Sequence, residues 1–294
     1  MTPMAAQLTI LVNQSAGLGP SDRLAELTAG VQALDLDAKV VTTESAEEMT
    51  GILRRMADAG VPQVVVAGGD GTVACAAREL AHTETALGII PQGTANNFAT
   101  SLGLPRELPA ALKVIMDGTV RQIDLGRVGT HLFTEAAGIG FFADALALYG
   151  QGGQARAARV LFAMARVWLS MHAKRIRLSI DGEPYRERVV MCTVANTSRM
   201  ALADTMAPDA RVTDGLLDVI LIGDLSRLEF ITYYRAIKTH THLQLPKVAS
   251  IKAKEVRIES RGPMNVHCDD RVVGQTPALI GVEPGALRVV VGKR

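Results

Sequence analysis

Runs of apolar residues alternate with helical periodicities over the first part of the chain. Residues 7–12, "QLTILV", predict a strand, and "AKVVTT", "QVVVAG" and "ALGIIP" repeat the pattern further along. The segment after the first strand predicts a helix capped by Ser21, because apolar residues recur at helical spacing at Leu24, Leu27, Val31 and Leu34. Unbroken Val and Ile runs are typical of parallel strands buried on both faces. Residues 1–125 are therefore predicted to form an open α/β domain that binds ligands at the carboxyl ends of its strands.

Paired capping residues predict where two further helices begin. Ser45 and Glu48 precede a helix in the first domain, and Ser226 and Glu229 precede one in the second half of the chain. A serine followed three positions later by a glutamate can satisfy two free N–H groups at the start of a helix. Both helices are predicted to begin at these serines.

The pattern changes to short strands and turns after about residue 125. The stretch "IRLSIDGEPYRERVVMCTVAN" predicts a hairpin around Asp181 and Gly182, and "GLLDVILIG", "KEVRIES", "GPMNVHCDD", "ALIGVE" and "ALRVVV" predict further short strands. A helix is predicted from about residue 154 to residue 172. Residues 126–294 are therefore predicted to form a mostly antiparallel β domain, with its last strands as candidates to return to the first domain.

The composition narrows the classes of function. The 294 residues carry 31 Lys and Arg against 30 Asp and Glu, a net charge of +1, so the basic field typical of nucleic-acid binding is absent. The three cysteines lie far apart without a C-x-x-C pair, which argues against a disulfide framework and a thiolate zinc site. No basic leader is recognised, and no run reaches the roughly 18 apolar residues of a membrane span. We expect a cytoplasmic protein without a nucleic-acid partner.

A glycine-rich loop, "GGDGT", follows the third predicted strand. Gly68, Gly69 and Gly71 permit positive φ and let main-chain N–H groups converge beside the start of a helix, an arrangement that binds phosphate. Asp70 carries a negative charge, so its expected task there is to hold a Mg²⁺ ion or its waters, with Thr72 as a hydroxyl donor. The residues of this motif are explained equally well by a tight turn in which Asp70 caps the following helix.

Two similar loops follow neighbouring strands and favour phosphate binding over a plain tight turn. "PQGTANNF" places Gly93, Thr94 and two asparagines after the fourth predicted strand, and "NQSAG" follows the first. The carboxyl ends of parallel strands lie at one edge of a sheet, so the three loops are expected to share one crevice. Ligand binding then explains the three loops better than turn geometry alone.

The order of these motifs resembles a known family. "NxSxG", "GGDGT", "PxGTANxFA", "IDLG", "APDAxxxDGLLDV" and "PGALRVVV" follow one another as in the diacylglycerol kinase catalytic-domain superfamily, which includes bacterial soluble lipid kinases and the sphingosine and ceramide kinases. NAD kinases and phosphofructokinases share a GGDG-type loop, but their second loop is not similar. The resemblance covers nearly the whole chain. It implies an α/β nucleotide-binding domain of the NAD kinase and phosphofructokinase type, followed by a β-sandwich domain.

The resemblance also implies roles for individual residues. The positions that would contact the nucleotide are Asn13, Ser15, Thr43, Gly68, Gly69, Asp70, Gly71, Thr72, Gly93, Thr94 and Asn96. Asp70 would act through Mg²⁺, and Asp124 of "IDLG" would support the catalytic centre. A structural Mg²⁺ in the "DGLLD" turn would take the Asp214 carboxylate and the carbonyls of Arg211 and Leu216. A plain Asp-Gly turn is an equally good explanation of that segment.

One motif departs from the family. The family's general base is the glutamate of a "DGE" followed by an apolar stretch and "TP", but this chain has "CDDRVVGQTP". Asp269 is kept, Asp270 replaces the glycine and Arg271 replaces the glutamate. Because an arginine cannot accept a proton, Asp270 is the nearest candidate base. The alternatives are a site that relies on Asp124 alone, or a protein that binds without phosphorylating.

These observations lead to an expected function. The chain is predicted to be a lipid kinase that uses ATP and Mg²⁺ to phosphorylate a hydroxyl of diacylglycerol, a ceramide or a sphingoid base, acting on a lipid substrate at the membrane surface. Phosphoryl transfer depends mostly on positioning and charge neutralisation, so Arg271 does not overturn this prediction. The alternatives are a NAD or other small-molecule kinase, and a catalytically weak nucleotide- or lipid-binding regulator. The chain is also a candidate to form a homodimer.

The helical insertions of the second domain are the expected membrane contact. They carry apolar and aromatic residues flanked by basic ones, a composition that suits a peripheral helix on anionic lipid. The apolar set is Val160, Met164, Trp168, Met171, Tyr233 and Tyr234, and the basic set is Arg156, Arg159, Arg166, Lys174 and Arg175. An ordinary amphipathic core helix with a solvated basic face is the competing interpretation.

Overall fold

The structure, a computed structural model, describes residues 7–13, 20–150, 157–200 and 204–293. The chain divides into two compact units. The first consists of Met1–Ile123 with Gly285–Arg294, and the second of Asp124–Pro284. Each unit buries hydrophobic residues of its own.

The first unit is an α/β domain with a parallel sheet. Its strands are β1 (Leu8–Asn13), β2 (Ala38–Thr43), β3 (Gln63–Gly68) and β4 (Ala86–Pro91), in the order β2-β1-β3-β4. Its helices are α1 (Pro20–Ala33), α2 (Ala46–Asp58), α3 (Asp70–Leu80), α4 (Asn97–Ser101) and α5 (Leu108–Asp117). The four strands coincide with the four apolar runs, so the predicted α/β architecture is confirmed.

Both faces of the parallel sheet are covered by helices. Helices α1 and α5 cover one face, where Leu27 and Leu112 pack into one cluster with Val65. The neighbouring Val64 and Val66 point to the opposite face and are buried as completely, because α2 and α3 cover that side. A strand covered on both faces has no reason to alternate apolar with polar residues, which explains the unbroken runs.

The helix starts follow the predicted capping residues with one exception in this unit. The Ser45 hydroxyl accepts a hydrogen bond from the Glu48 N–H at 3.1 Å, as the capping pattern predicts. The Glu48 carboxylate accepts from the Glu44 N–H at 2.8 Å instead of from the serine, one residue earlier than expected. Helix α1 begins at Pro20, so Ser21 lies within its first turn and the prediction that Ser21 caps this helix is wrong.

The second unit is built mostly of antiparallel strands. They are β5 (Thr119–Val128), β6 (His131–Phe133), β7 (Ala136–Gly140), β8 (Lys174–Ile180), β9 (Glu183–Val189), β10 (Met191–Ala195), β11 (Arg199–Met200), β12 (Asp204–Thr205), β13 (Leu217–Ile222), β14 (Val248–Ala253), β15 (Glu255–Ser260), β16 (Asn265–Cys268), β17 (Arg271–Gln275) and β18 (Ala278–Val291). Strand β5 begins in the first unit, and β18 ends there beside β4. The segments "ALIGVE" and "ALRVVV", predicted as two strands, form the single strand β18 around Gly285.

Two sheets of this unit pack face to face. One has the order β14-β13-β10-β7-β16-β17, and the other includes β18, β15, β8 and β9. Residues such as Val194, Val219, Ile258 and Ile280 form the core cluster between them. The antiparallel β-sandwich expected for this half of the chain is therefore confirmed.

Three helices cover the outer face of the first of these sheets. They are α6 (Phe141–Tyr149), α7 (Ala157–Ser170) and α8 (Arg227–Lys238), and a short 3₁₀ turn follows at His242–Gln244. Phe230 and Tyr233 of α8 pack with Ile220 of the sheet. The capping box at the start of α8 is complete, since Ser226 and Glu229 each accept a hydrogen bond from the other's backbone N–H. No helix among the described residues combines the length and the hydropathy needed to cross a bilayer.

Gly126 of the "IDLG" motif is required by close packing. It lies opposite Phe133 in the β5–β6 pair, and a Cβ added at Gly126 would lie 1.9 Å from the ring. Phe133 is fully buried in the sandwich core, so its ring has no space to move into.

We predict that Gly126→Ala destabilises the protein, whereas Gly262→Ala does not. Gly262 has no atom within 4 Å of an added Cβ, which makes it a matched control. The overpacked variant is expected to lose about 3 kcal/mol of unfolding free energy, and the control about 0.5 kcal/mol or less. Urea denaturation followed by circular dichroism measures both, and equal losses in the two variants would contradict the packing argument.

Candidate functional site

The expected nucleotide loops of the first unit lie at the carboxyl ends of its parallel strands. Asn13 and Thr43 are paired at the ends of β1 and β2, and Gly68 is paired with Pro91 at the ends of β3 and β4. Ser15 lies outside the described residues. The Gln92 N–H donates to the Gly68 carbonyl at 2.8 Å, which ties the second loop to the first.

The glycines of these loops allow two backbones to approach each other. A Cβ added at Gly93 would lie 2.5 Å from the Cα of Gly69, and one added at Gly68 would lie 2.6 Å from the Thr72 side chain. Gly68, Gly69 and Gly71 permit a positive φ, but none of them adopts one. Lack of space for a side chain is what requires glycine at Gly68, Gly69 and Gly93.

Asn96 shapes the second loop. It has a left-handed backbone with φ of 52°, and its side-chain amide accepts from the Gly93 N–H and donates to the Gly93 carbonyl, both at 2.8 Å. Arg106 donates to the carbonyls of Thr94 at 2.6 Å and Ala95 at 3.1 Å. These bonds fix the loop backbone while the Thr94 side chain stays exposed.

The remaining predicted nucleotide residues differ in their exposure. Asp70 is the first residue of α3 and is half-buried, and Gly71 beside it is exposed. Thr72 is buried against Gly68, and its hydroxyl makes no hydrogen bond to the described residues. Thr43 is fully buried, with its hydroxyl 3.5 Å from the Val12 carbonyl. Gly69, Asp70 and Gly71 are therefore the residues of the first loop that are accessible to solvent.

Asp124 of the second unit is buried in a hydrogen-bonded network. Its carboxylate accepts from the Gly215 N–H at 2.7 Å, and its own N–H donates to the Val212 carbonyl at 2.7 Å. The Asn196 side-chain amide donates to the Asp124 carbonyl at 2.9 Å and to the Thr134 carbonyl at 3.0 Å. The network brings Asp124 together with the segment that contains the predicted metal ligand Asp214.

The turn that carries Asp270 is anchored by Asp269. The Asp269 carboxylate accepts from the backbone N–H groups of Thr134 at 3.0 Å and Glu135 at 2.8 Å, and its own N–H donates to the Ala136 carbonyl at 2.8 Å. The backbone of Asp269 is left-handed, with φ of 52°. Since Thr134 also binds Asn196, this turn and Asp124 belong to one network.

Asp270 and Arg271 follow at the start of β17 and are half-buried. The φ of Asp270 is not positive, so the residue that replaces the family's glycine adopts ordinary backbone geometry. Burial raises the pKa of Tyr149 in α6, and the negative charge of Asp270 raises it further. The charge of Asp270 therefore acts on the Tyr149 phenol, while the carboxylate of its neighbour Asp269 is bound to the backbone.

His267 is a fully buried histidine two residues before this anchor. Its Nδ1 lies 3.3 Å from the Asp269 carbonyl, so Nδ1–H is the donor, and the Phe142 ring packs edge-on at 4.8 Å. Burial lowers the pKa of His267 from 6.5 to about 4, although the hydrogen bond to Asp269 acts in the opposite direction. His267 is therefore neutral near pH 7.

The predicted structural metal site contains a lysine. Lys252 Nζ lies 3.0 Å from Asp214 Oδ2 and 3.1 Å from Asp218 Oδ2, while Asp214 Oδ1 accepts from the Leu216 N–H at 3.2 Å. Arg211 is exposed. The described residues contain no group of three or more His, Cys, Asp or Glu side chains that could hold a metal ion. The Asp214 carboxylate, the one side chain of the predicted donor set, is already bound to an ammonium group and as such does not fit Mg²⁺.

Burial and charge oppose each other at this lysine cluster. Burial raises the pKa of Asp218, and the hydrogen bond from Lys252 lowers it only in part. Burial lowers the pKa of Lys252, but the hydrogen bonds to Asp214 and Asp218 outweigh it and raise the pKa above the usual value. The ammonium group is therefore held in its charged form.

The expected membrane-contact residues mostly face the protein interior. Met164, Trp168 and Met171 pack against the apolar cluster that contains Ile220 and Phe230. Val160 is half-buried and Tyr233 is fully buried, while Tyr234 is partly exposed. Besides Tyr234, five large apolar residues of α7 and α8 that were not in the expected set are exposed, and we call them the outer apolar set: Leu161, Phe162, Leu169, Leu228 and Ile231. Arg156 lies outside the described residues, and Lys174 forms an ion pair with Asp144 at 3.6 Å.

Sequence reasoning missed three residues that hold these loops in place. Asn196, Arg106 and Lys252 each bind backbone or side-chain groups distant in the chain. Asn196 offered one indication, because it is a polar residue that directly follows the apolar run "MCTVA" at the end of β10. Nothing in the local sequence identifies the partners of Arg106 and Lys252.

Comparisons with known proteins agree with this architecture. Residues 7–128 match the model of the diacylglycerol kinase catalytic domain, and residues 147–291 match the YegS C-terminal NAD kinase beta sandwich-like domain. The chain is 30% identical to a diacylglycerol kinase of Mycobacterium tuberculosis over 97% of this chain and 94% of that protein. It is 26% identical to a diacylglycerol kinase of Staphylococcus carnosus over 94% and 92% of the two chains.

Solved structures share the fold. A diacylglycerol kinase structure from Bacillus anthracis superposes with a TM-score of 0.75 at 22% identity, covering 97% of each chain. A yeast NADH kinase complexed with NADH gives a TM-score of 0.55 at 10% identity, covering 99% of this chain and 85% of the other. The expected likeness of the fold to NAD kinases is confirmed.

The buried His267 predicts a specific loss of stability in acid. An unfolded chain binds the proton with a pKa near 6.5 and the folded chain only near 4, so stability is complete above pH 6.5 and falls as the pH drops toward 4. This single group is expected to remove about 3 kcal/mol over that interval. His267→Asn, which keeps a donor toward Asp269, should show a flatter fall in denaturant titrations at several pH values. Parallel curves for the two proteins would show that His267 does not titrate as described.

Proposed function

The chain belongs to the diacylglycerol kinase family, and from this membership we propose that it is an ATP-dependent lipid kinase. It would transfer the γ-phosphoryl group to a hydroxyl of a membrane lipid, with diacylglycerol as the first acceptor to test and ceramide or a sphingoid base as the others. The relatives from Mycobacterium tuberculosis and Staphylococcus carnosus are named diacylglycerol kinases, which supports diacylglycerol as the first choice.

The observation that carries the proposal is the contact between the two glycine loops at the ends of β3 and β4. Gly69 and Gly93 lie so close that neither position has space for a side chain, and the loops are joined by the bond from the Gln92 N–H to the Gly68 carbonyl. A bare backbone beside the start of α3 can approach nucleotide phosphates, and the helix start favours their negative charge. Turn geometry alone does not require two such loops in contact.

Asp70 is the residue proposed to hold the nucleotide's Mg²⁺. It is half-buried at the start of α3, where a phosphate-bound cation would meet a carboxylate oxygen, the donor type that Mg²⁺ prefers. When bound, the ion neutralises charge that develops on the phosphoryl oxygens. The neighbouring exposed Gly71 adds backbone without a side chain in the way.

Asp270 is the proposed general base. In the reaction, the lipid hydroxyl oxygen attacks the γ-phosphorus, the bond from that phosphorus to the leaving oxygen of ADP breaks, and the hydroxyl proton passes to a carboxylate. Asp269 cannot readily serve, because its carboxylate is bound to the N–H groups of Thr134 and Glu135. Asp270 follows this anchor on a turn fixed at its base, and Arg271 beside it can offer a positive charge to phosphate but cannot accept a proton.

Lipid access is proposed to involve the outer apolar set of α7 and α8. Leu161 and Phe162 are about two-thirds exposed, at 70% and 68%, and Leu228 is 76% exposed. The sequence of α7 contains Arg159 and Arg166 but no acidic residue. Exposed apolar side chains between arginines suit the interface of an anionic membrane better than water. The bond from the Trp168 indole N–H to the Arg227 carbonyl at 3.2 Å brings the end of α7 beside the start of α8.

We predict that the purified protein transfers label from γ-labelled ATP to a lipid in the presence of Mg²⁺ and a mixed lipid extract. Asp270→Asn should lower kcat at least about 100-fold with little change in the KM for ATP, because general-base catalysis contributes about 10²–10⁴. Glu183→Gln is the matched control, since Glu183 belongs to the chain's literal "DGE" but lies exposed at the start of β9.

The assay separates the candidate functions. Label found only in a water-soluble product would replace the lipid kinase with a small-molecule kinase. ATP binding without transfer to any acceptor would favour the regulator, which Arg271 in the family's base position already makes the second candidate. Full activity of Asp270→Asn would remove Asp270 from the mechanism and leave Asp124 as the carboxylate to test.

We further predict that Phe162→Asp weakens binding to anionic vesicles about tenfold. An aspartate at this position removes the contact that Phe162 is proposed to make with the lipid hydrocarbon, and its negative charge is repelled by the anionic lipid. Met116→Asp makes the same change of charge at an exposed apolar residue of α5 and is the control. Vesicle cosedimentation measures binding, and equal effects of the two substitutions would show that α7 has no special role.

A further inference from the structure

A single ammonium group lies at the centre of the loop between Asp209 and Asp218. Lys252 Nζ donates to Asp214 Oδ2 at 3.0 Å, to Asp218 Oδ2 at 3.1 Å and to the Asp209 carbonyl at 3.4 Å. An ammonium group has three N–H donors, and three acceptors surround this one. We propose that Lys252 is the permanent cation of this loop, in the place where the family resemblance implies a structural Mg²⁺.

The backbone fixes this lysine in place. Lys252 of β14 lies directly opposite Asp218 of β13 in the antiparallel register, so the two side chains leave the same face of the sheet as neighbours. Asp218 is buried, with 4% of its side chain exposed, and a buried carboxylate needs a positive partner close by. The pair is therefore set by strand pairing and does not depend on how the loop itself is folded.

The loop residue Asp214 completes the cluster. Its Oδ2 binds the lysine while its Oδ1 accepts from the Leu216 N–H, so each carboxylate oxygen has a partner. Mg²⁺ requires about six oxygen ligands in octahedral geometry and would have to share these oxygens with an ammonium group of like charge. The lysine supplies one positive charge without any requirement for free metal.

The cluster bears on the network around Asp124. Gly215, next to Asp214, donates its N–H to the Asp124 carboxylate, and Val212 accepts from the Asp124 N–H. Lys252 therefore holds the segment that in turn holds Asp124, which makes it a positioning residue. This inference concerns how the loop is held and stands whichever acceptor, if any, the protein phosphorylates.

Thermal unfolding without nucleotide tests the assignment. The wild-type midpoint should be the same in EDTA and in millimolar Mg²⁺. Lys252→Met should lower the midpoint by about 5 °C in EDTA, because two carboxylates lose their cation, and Mg²⁺ should now restore most of the loss. Lys252→Arg, which keeps the charge, should stay near wild type without metal.

Two further variants assign the effects to this loop. Lys254→Met removes an exposed lysine two residues away and should neither lower the midpoint nor create a response to Mg²⁺. Adding Asp214→Asn to Lys252→Met should abolish the restoration by Mg²⁺, because the metal would then lack its main carboxylate.

The opposite pattern would overturn the proposal. A wild-type midpoint that falls in EDTA, recovers with saturating Mg²⁺ and loses this response in Asp214→Asn would show that the loop holds a metal despite Lys252. A Lys252→Met variant as stable as wild type in EDTA would show that the lysine is not needed. Should Lys252→Met fail to fold, wild type, Lys252→Arg and Asp214→Asn still decide between the two cations.

Discussion

Buried backbone groups that cannot pair within a sheet are the constraint on which the second unit depends. Strand ends and turns around β5, β7, β10 and β16 leave N–H and carbonyl groups inside the protein, where each needs a hydrogen-bond partner. Asn196 serves the carbonyls of Asp124 and Thr134, and the Asp269 carboxylate serves the N–H groups of Thr134 and Glu135. These polar side chains hold the turn next to Asp270 in one conformation. The Asp269 carboxylate is occupied by these hydrogen bonds, and the proposed chemistry therefore falls to Asp270, which the fixed turn holds in place.

The sequence predicts those features that depend on neighbours along the chain. Apolar runs located β1 to β4, and the pair Ser226 and Glu229 located the start of α8, because burial and capping act over a few residues. The helices α5 and α6 were not predicted. Asn196, Arg106 and Lys252 acquire their roles only when the fold brings their partners close, at separations such as 72 residues for Asn196 and Asp124. Contacts between such distant residues cannot be recognised in the local sequence. The motifs therefore located the loops but did not identify the residues that fix them.

The sequence located the two glycine loops, but only one of the two properties of glycine considered there, the absence of a side chain, is used in the structure. Glycine permits a left-handed backbone, yet the residue of the second loop that adopts this conformation is Asn96, stabilised by its own side-chain bonds to Gly93. Gly69 and Gly93 are needed because their Cα atoms face each other. A substitution to alanine there would act by forcing the loops apart and not by straining a torsion angle. Close approach involves two segments of the chain. The sequence of one segment therefore does not show whether a glycine is needed for close approach or for its conformational freedom.

Two fixed cations stand where the family resemblance implies a metal and a base, and their consequences differ. Lys252 keeps the sign of charge that a metal would supply, so the carboxylates of Asp214 and Asp218 share a positive partner. Arg271 reverses the sign at the position of a proton acceptor, and no rotation of a guanidinium group can restore that function. In the mechanism that we propose, the function moves to Asp270, which is adjacent on a turn whose base is fixed by Asp269. A lysine in place of a metal can therefore preserve a loop, whereas an arginine in place of a base leaves the reaction without a proton acceptor unless a neighbouring carboxylate takes over, which is the role that we propose for Asp270.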